Sequence, residues 1–172
     1  MKKYLAEFNR VMKQCEVDPG DIRMIRGRLK HLKTTGGTLY LIGNGGSNAI
    51  VSHAAVDIVN KYHIKVMPLT DASMLTMAAN DSGRDHMFSD LLLDMATKDD
   101  MLIAVSSSGE SQNIINAANA MISKTAFVVT LSGFHEFNQL RSLVDFWINS
   151  TNYGIVETGH ALILHYLTED TK

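Results

Sequence analysis

The chain has 172 residues, 45% of them hydrophobic, and a formal net charge of -2. That length fits one domain with a sizeable core, and that charge offers no basic field for nucleic acid. The single cysteine, Cys15, excludes an internal disulfide, and no apolar run approaches the roughly 20 residues that span a bilayer, so a cytoplasmic protein is expected, with neither membrane nor nucleic acid as partner.

Leu5, Phe8, Val11, Met12 and Cys15 recur at helical spacing and predict an amphipathic first helix. Asp18-Pro19-Gly20 supplies a cap and a first-turn proline for a second helix, with Ile22, Ile25, Leu29 and Leu32 as its stripe and Thr34-Thr35-Gly36-Gly37 as its end. This pair, residues 1–35, has no crossover to make in a sheet. Its stripes therefore serve either another subunit, in oligomerisation, or the chain's own sheet.

Residues 38–42 read as the first strand, and Gly43-Asn44-Gly45-Gly46-Ser47 as a turn opening a helix that runs to about residue 62. The glycines let backbone approach a ligand, and Asn44 and Ser47 offer polar side chains there. On the helix, His53 and Asp57 are four residues apart, about 40° around the axis, and can serve one site. Residues 64–67 read as a short strand, 71–80 as a helix, and Asn80-Asp81-Ser82-Gly83 as a polar loop before a helix carrying Met87, Leu91 and Met95. Asp81 either faces a ligand or caps a turn.

Residues 101–113 repeat the first pattern. An apolar run, Met101 to Val105, empties into Ser106-Ser107-Ser108-Gly109-Glu110-Ser111, and a helix follows over 111–123. The unpaired N–H groups of that helix start, ringed by hydroxyls, suit a phosphate; a serine N-cap with a glycine turn is the plainer alternative. Neither GxxxxGK[ST] nor GxGxxG occurs, so the ligand is expected to be a sugar phosphate and no nucleotide cofactor is expected. Residues 125–131 read as another buried strand, 134–140 as a short helix, and 143–148 as a last strand whose Asp145 suggests an edge or a polar face. The final helix, about 154–167, carries Glu157, His160 and His165; the two histidines lie about 140° apart and do not share one pocket.

The expected fold is thus α/β, a five-stranded parallel sheet flanked by helices on both faces, preceded by two helices, in a single domain over 1–172. With Gly43–Ser47, His53 to Asp57, Lys61-Tyr62, Asn80-Asp81, Ser106–Ser111 and Glu157 through His165 in this order and spacing, the sequence resembles the sugar isomerase (SIS) domain family, most closely its phosphoheptose isomerase branch. The resemblance implies a homotetramer with sites at subunit interfaces, converting sedoheptulose 7-phosphate into D-glycero-D-manno-heptose 7-phosphate for cell-envelope lipopolysaccharide. It makes Ser106, Ser107, Ser108 and Ser111 the phosphate cradle, places Asn44 and Ser47 on the sugar, and sets Asp81 near the reacting hydroxyls. Asp57, Glu157 and His165 are the implied catalytic groups, and His53, Asp57, Glu157 and His165 match a zinc site of some members.

The chain departs from that pattern at Gly154, where the branch often carries an acidic residue, and at two site positions. Asp57 stands for a glutamate and Glu157 for a glutamine, so Glu157 is expected to restore, or share, the carboxylate that moves a proton through an enediol, with His165 as the acid. Two other functions fit the same framework. One is a non-catalytic sugar-phosphate-binding or protein-interaction module of the DnaA initiator-associating type; the other is an isomerase or epimerase of a different sugar phosphate. Four ionisable residues at 53, 57, 157 and 165 favour the enzyme, because a scaffold has no use for them.

Overall fold

A computed structural model describes residues 1–15 and 17–169. Helix α1 (Lys2–Gln14) and helix α2 (Pro19–Thr35) lead into strand β1 (Thr38–Gly43). Then come α3 (Gly45–Tyr62), β2 (Lys65–Pro68), α4 (Ala72–Ser82), α5 (Met87–Met95), β3 (Met101–Ser106), α6 (Gln112–Ser123), β4 (Phe127–Gly133), β5 (Val144–Ile148) and α7 (Tyr153–Thr168). The second helix starts where the sequence placed it. Asp18 is its N-cap, accepting the Gly20 N–H at 2.6 Å, with Pro19 in the first turn, an arrangement worth about 1 kcal/mol.

All five strands pair in parallel, in the order β2-β1-β3-β4-β5. Both faces are covered, which is why the central strands are apolar throughout instead of alternating. On β1 and β3, Leu39, Leu41, Met101, Ile103 and Val105 point to a core shared with α2, α3 and α7, while Tyr40, Ile42, Leu102 and Ala104 point to a second core under α5 and α6. Edge strand β5 carries Asp145 half-buried, paired with Arg141 at 2.5 Å, as a charged edge position should be.

The first helix sits differently from the rest. Only Val11 of α1 is buried, and Tyr4 and Leu5 remain exposed, although α1 reaches the last helix: an added Cβ on Gly154 would meet the Tyr4 hydroxyl. The chain's two halves meet at the strand order. Beyond β1 the next strand lies on one side, and β3 lies on the other. Ligands of open parallel sheets bind outside the carboxyl ends of the strands at such a switch point.

One predicted element is absent. Residues 134–140, expected as a short helix, form an irregular segment of bends and turns. Phe134 has φ 60°, outside the helical region, and the polar groups of the segment are engaged elsewhere: the Leu140 N–H donates to the Gly109 carbonyl at 3.0 Å. A smaller shift concerns 80–82, expected in a loop, which form the last turn of α4.

Candidate functional site

The turn after β1 and the loop after β3 are adjacent and bolted together. The Asn44 amide donates to Asn113 Oδ1 at 2.9 Å, and the Asn113 amide donates back to Asn44 Oδ1 at 2.9 Å. Asn113 lies in the first turn of α6, 2% exposed, and its Oδ1 also accepts the Ile114 N–H at 3.1 Å. Asn44, expected to face the sugar, therefore has both amide atoms committed to this bridge, with one hydrogen and one lone pair left for a ligand. Ser47 is buried beside it in the first turn of α3.

The hydroxyls of the loop do not act as side-chain caps of α6. Ser111 is the N-cap of α6, yet its side chain makes no capping bond; Ser106 Oγ donates to Ser111 Oγ at 3.2 Å instead. Ser108 Oγ accepts the Glu110 N–H at 3.2 Å, and Ser107 Oγ is buried without any partner. An unpartnered buried hydroxyl costs free energy unless something fills it. Together with the free N–H groups of α6, it fits an anion arriving at this loop.

The irregular segment after β4 closes over that loop. Gly109 has φ 70°, and a Cβ there would lie 2.1 Å from Asn138 Oδ1, so only glycine accepts both the backbone conformation and the contact. Asn138 donates to Ser132 Oγ at 3.0 Å and to the His135 carbonyl at 2.8 Å. The Glu110 carboxylate accepts from Gln139 Nε2 at 2.7 Å and from the Gln139 backbone N–H at 3.2 Å. Glu110 is thereby anchored to this segment.

A second cluster stands farther along α3 and α7. His165 Nδ1 lies 3.0 Å from Asp57 Oδ2, His53 Nε2 lies 3.7 Å from the same oxygen, and the two imidazoles meet edge to face at 5.1 Å between centroids. One ligand atom from each of His53, Asp57 and His165 falls within 4.8 Å of the others. Zinc bonded tetrahedrally at about 2.0–2.2 Å to imidazole and carboxylate holds its donors about 3.4 Å apart, so side-chain adjustment of these three residues would let them take a divalent ion. The cavity of about 260 Å³ beside it is otherwise apolar, lined by Ile50, Ala54, Ala161 and Leu164.

Glu157 does not join this cluster. It sits two turns earlier on α7, with its carboxylate over the N-terminus of α3: a Cβ on Gly46 would lie 2.6 and 2.7 Å from its two oxygens. Glycine at 46 is what admits it, and the helix start favours its charge. Within one chain three of the four residues of the implied metal set lie together, and Glu157 lies about 12 Å along the helix from His165. Asp81 lines a separate groove between α4 and α5 with Asp90 and Asp94, its carboxylate accepting from the Asn80 amide at 3.0 Å; none of the cradle residues lines that groove.

His160 is turned away from His165, as its position on the helix demands. It is 0% exposed, and its Nε2–H donates to the Ser132 carbonyl at 3.0 Å. Nδ1 has no partner. Burial lowers its pKa to about 4, against a smaller upward push from the Ser132 bond, so the ring is neutral and serves to tie α7 to the tip of β4.

Residues 3–133 match the SIS domain family. The chain belongs to the SIS domain family. Among its members it is 30% identical to the phosphoheptose isomerase of Shewanella sp. (strain W3-18-1), over 91% of this chain and 84% of that one. It is 33% identical to the phosphoheptose isomerase of Cytophaga hutchinsonii, over 77% and 73%. The solved phosphoheptose isomerase from Neisseria gonorrhoeae superposes with a TM-score of 0.85 at 25% identity, covering 97% of this chain and 94% of that chain. Sequence reasoning missed three site residues. None of Asn113, Asn138 and Gln139 was singled out from the sequence; Asn113 shares the run 113–121 with Asn116 and Asn119, so nothing local marked it from its neighbours.

Proposed function

We propose that this SIS protein interconverts sedoheptulose 7-phosphate and D-glycero-D-manno-heptose 7-phosphate, a cytoplasmic step toward cell-envelope heptose. The observation that carries the reading is a carboxylate and imidazole 3.0 Å apart, Asp57 and His165, in a chain that also carries a hydroxyl-lined helix start at 106–111. Ser106, Ser107, Ser108 and Ser111 hold the phosphate, and Ser47 and Asn44 face the sugar.

A single chain does not offer both halves to one ligand. Asp57 is twelve residues into α3 from Gly45, about 18 Å along the axis, beyond the reach of a seven-carbon chain and its ester. The cradle and Glu157 of one chain therefore work with His53, Asp57 and His165 of a second, which supports a homotetramer with shared sites; the exposed apolar residues Tyr4 and Leu5 of α1 fit the N-terminal pair to that assembly. In such a site Glu157 removes the proton from the carbon next to the carbonyl and returns it to the neighbouring carbon, while His165, oriented by Asp57, gives and retakes the oxygen proton. Alternatively, His53, Asp57 and His165 would hold zinc in place of the Asp57–His165 hydrogen bond, and zinc when bound would supply Lewis-acid stabilisation of the developing oxyanion.

Incubation of the purified protein with sedoheptulose 7-phosphate, followed by NMR with and without a chelator, tests this. Aldose signals that appear, slow on chelation and recover with added zinc are expected. No aldose would remove the isomerase reading, and indifference to the chelator would remove zinc.

A further inference from the structure

Two loops that approach one ligand from different strands must be held at a fixed span, and backbone pairing does not do it here. The parallel ladder between β1 and β3 ends at Gly43 opposite Val105, before either the Asn44 turn or the Ser106–Ser111 loop has begun. Beyond that point the described bridge between the two is side chain to side chain. It consists of the two reciprocal amide bonds of Asn44 and Asn113, each 2.9 Å.

Neither residue is placed there for its own helix. Asn44 is the N-cap of α3 without a side-chain capping bond, although asparagine is among the favoured caps. Asn113 is 2% exposed, on the same helix as the buried Ile114, Ile115 and Ala117. A buried amide needs partners, and the pair supplies them reciprocally: each carbonyl accepts, each NH₂ donates one hydrogen, and a third bond, from the Ile114 N–H to Asn113 Oδ1, fixes the orientation of the Asn113 amide. The bridge crosses the sheet at the switch point between β1 and β3.

We propose that Asn113 is a positioning residue for the reaction: through Asn44 it sets the span between the sugar-facing turn and the phosphate cradle, and so matches the site to the length of the phosphosugar. The inference rests on the isomerase reading above. It gives Asn113 no contact with substrate, and it makes the two asparagines one unit instead of two independent contributors.

The test is a kinetic cycle on the full-length protein with Asn44→Ala, Asn113→Ala and the double variant. KM and kcat are measured for sedoheptulose 7-phosphate, and Ki for inorganic phosphate, which needs the cradle alone. Each single variant is expected to raise KM on the order of ten- to hundredfold, as a small misplacement does, with the phosphate Ki within about twofold of wild type. The double variant is expected to be no worse than the worse single one. Additive losses, an unchanged KM in Asn113→Ala, or a Ki that rises in step with KM would each overturn the proposal. If Asn113→Ala does not fold, Asn113→Ser, which keeps an acceptor for the Ile114 N–H, takes its place with the same expected results. Wild-type protein that neither turns over the sugar nor is inhibited by phosphate would remove the underlying reading and this inference together. Turnover with additive losses removes only the inference.

Discussion

Replacing His160 by glutamine should flatten the acid side of the protein's stability. In the folded chain this ring is wholly enclosed, its Nδ1 faces no polar partner, and its pKa lies at about 4; in the unfolded chain it titrates near 6.5. Between those two values the unfolded state binds a proton that the folded state refuses, so stability falls as pH falls, by about 1.4 kcal/mol per unit. The contribution is complete above pH ~6.5 and has been lost by pH ~4, roughly 3 kcal/mol in all. Glutamine places its amide nitrogen where His Nε2 stands, keeps the donor to the Ser132 carbonyl, and does not titrate. Urea unfolding of wild type and His160→Gln at matched protein concentration, from pH 7 to 4, should show wild type losing about 3 kcal/mol more than the variant. Parallel curves would refute the reasoning, because they would mean that the buried ring is charged in the fold or accessible to protons without opening.

Two substitutions address the site itself. Ser108→Ala removes the acceptor of the Glu110 N–H and one cradle hydroxyl, and should weaken competitive inhibition by inorganic phosphate on the order of tenfold without unfolding the protein; unchanged inhibition would mean the cradle lies elsewhere. Gly46→Ala introduces a methyl 2.6 Å from Glu157 Oε1. The carboxylate is the free end of a flexible side chain, so stability should stay within ~1 kcal/mol, helped by alanine's better helix propensity, while kcat falls at least about tenfold through a displaced base. A variant as active as wild type would show that Glu157 is not used in the position it occupies.

The architecture was legible in the sequence because its signals are local. Five apolar runs bounded by turns, two of them followed by Gly/Ser loops, led directly to the parallel sheet, and Asp18-Pro19 marked its helix to the residue. The segment 134–140 was misread because its bonds are long-range: nothing in Phe-His-Glu-Phe-Asn-Gln-Leu announces that Asn138 and Gln139 will engage Ser132 and Glu110. The pairing of His53 with Asp57 followed from helical periodicity, and the opposite facing of His160 and His165 did too. What periodicity could not supply was the level of Glu157 along α7 relative to Asp57 on α3, which depends on how two helices slide past one another. That offset separates the Ser106–Ser111 end of the chain from its imidazole end, and it is the ground for proposing a site drawn from two chains. The Asn44–Asn113 bridge was illegible for the same reason, since 69 positions of sequence separate its halves.

Mixed oligomers test the shared site most directly. Glu157→Gln, altered at the cradle end, and His165→Ala, altered at the other, are co-expressed with different tags, and the doubly tagged species is assayed for aldose formation from sedoheptulose 7-phosphate. If each site draws on two chains, random mixing leaves about one quarter of sites with both groups intact, and activity should return to about that fraction of wild type although neither variant alone turns over. Activity no greater than the summed residues of the two variants would contradict the account.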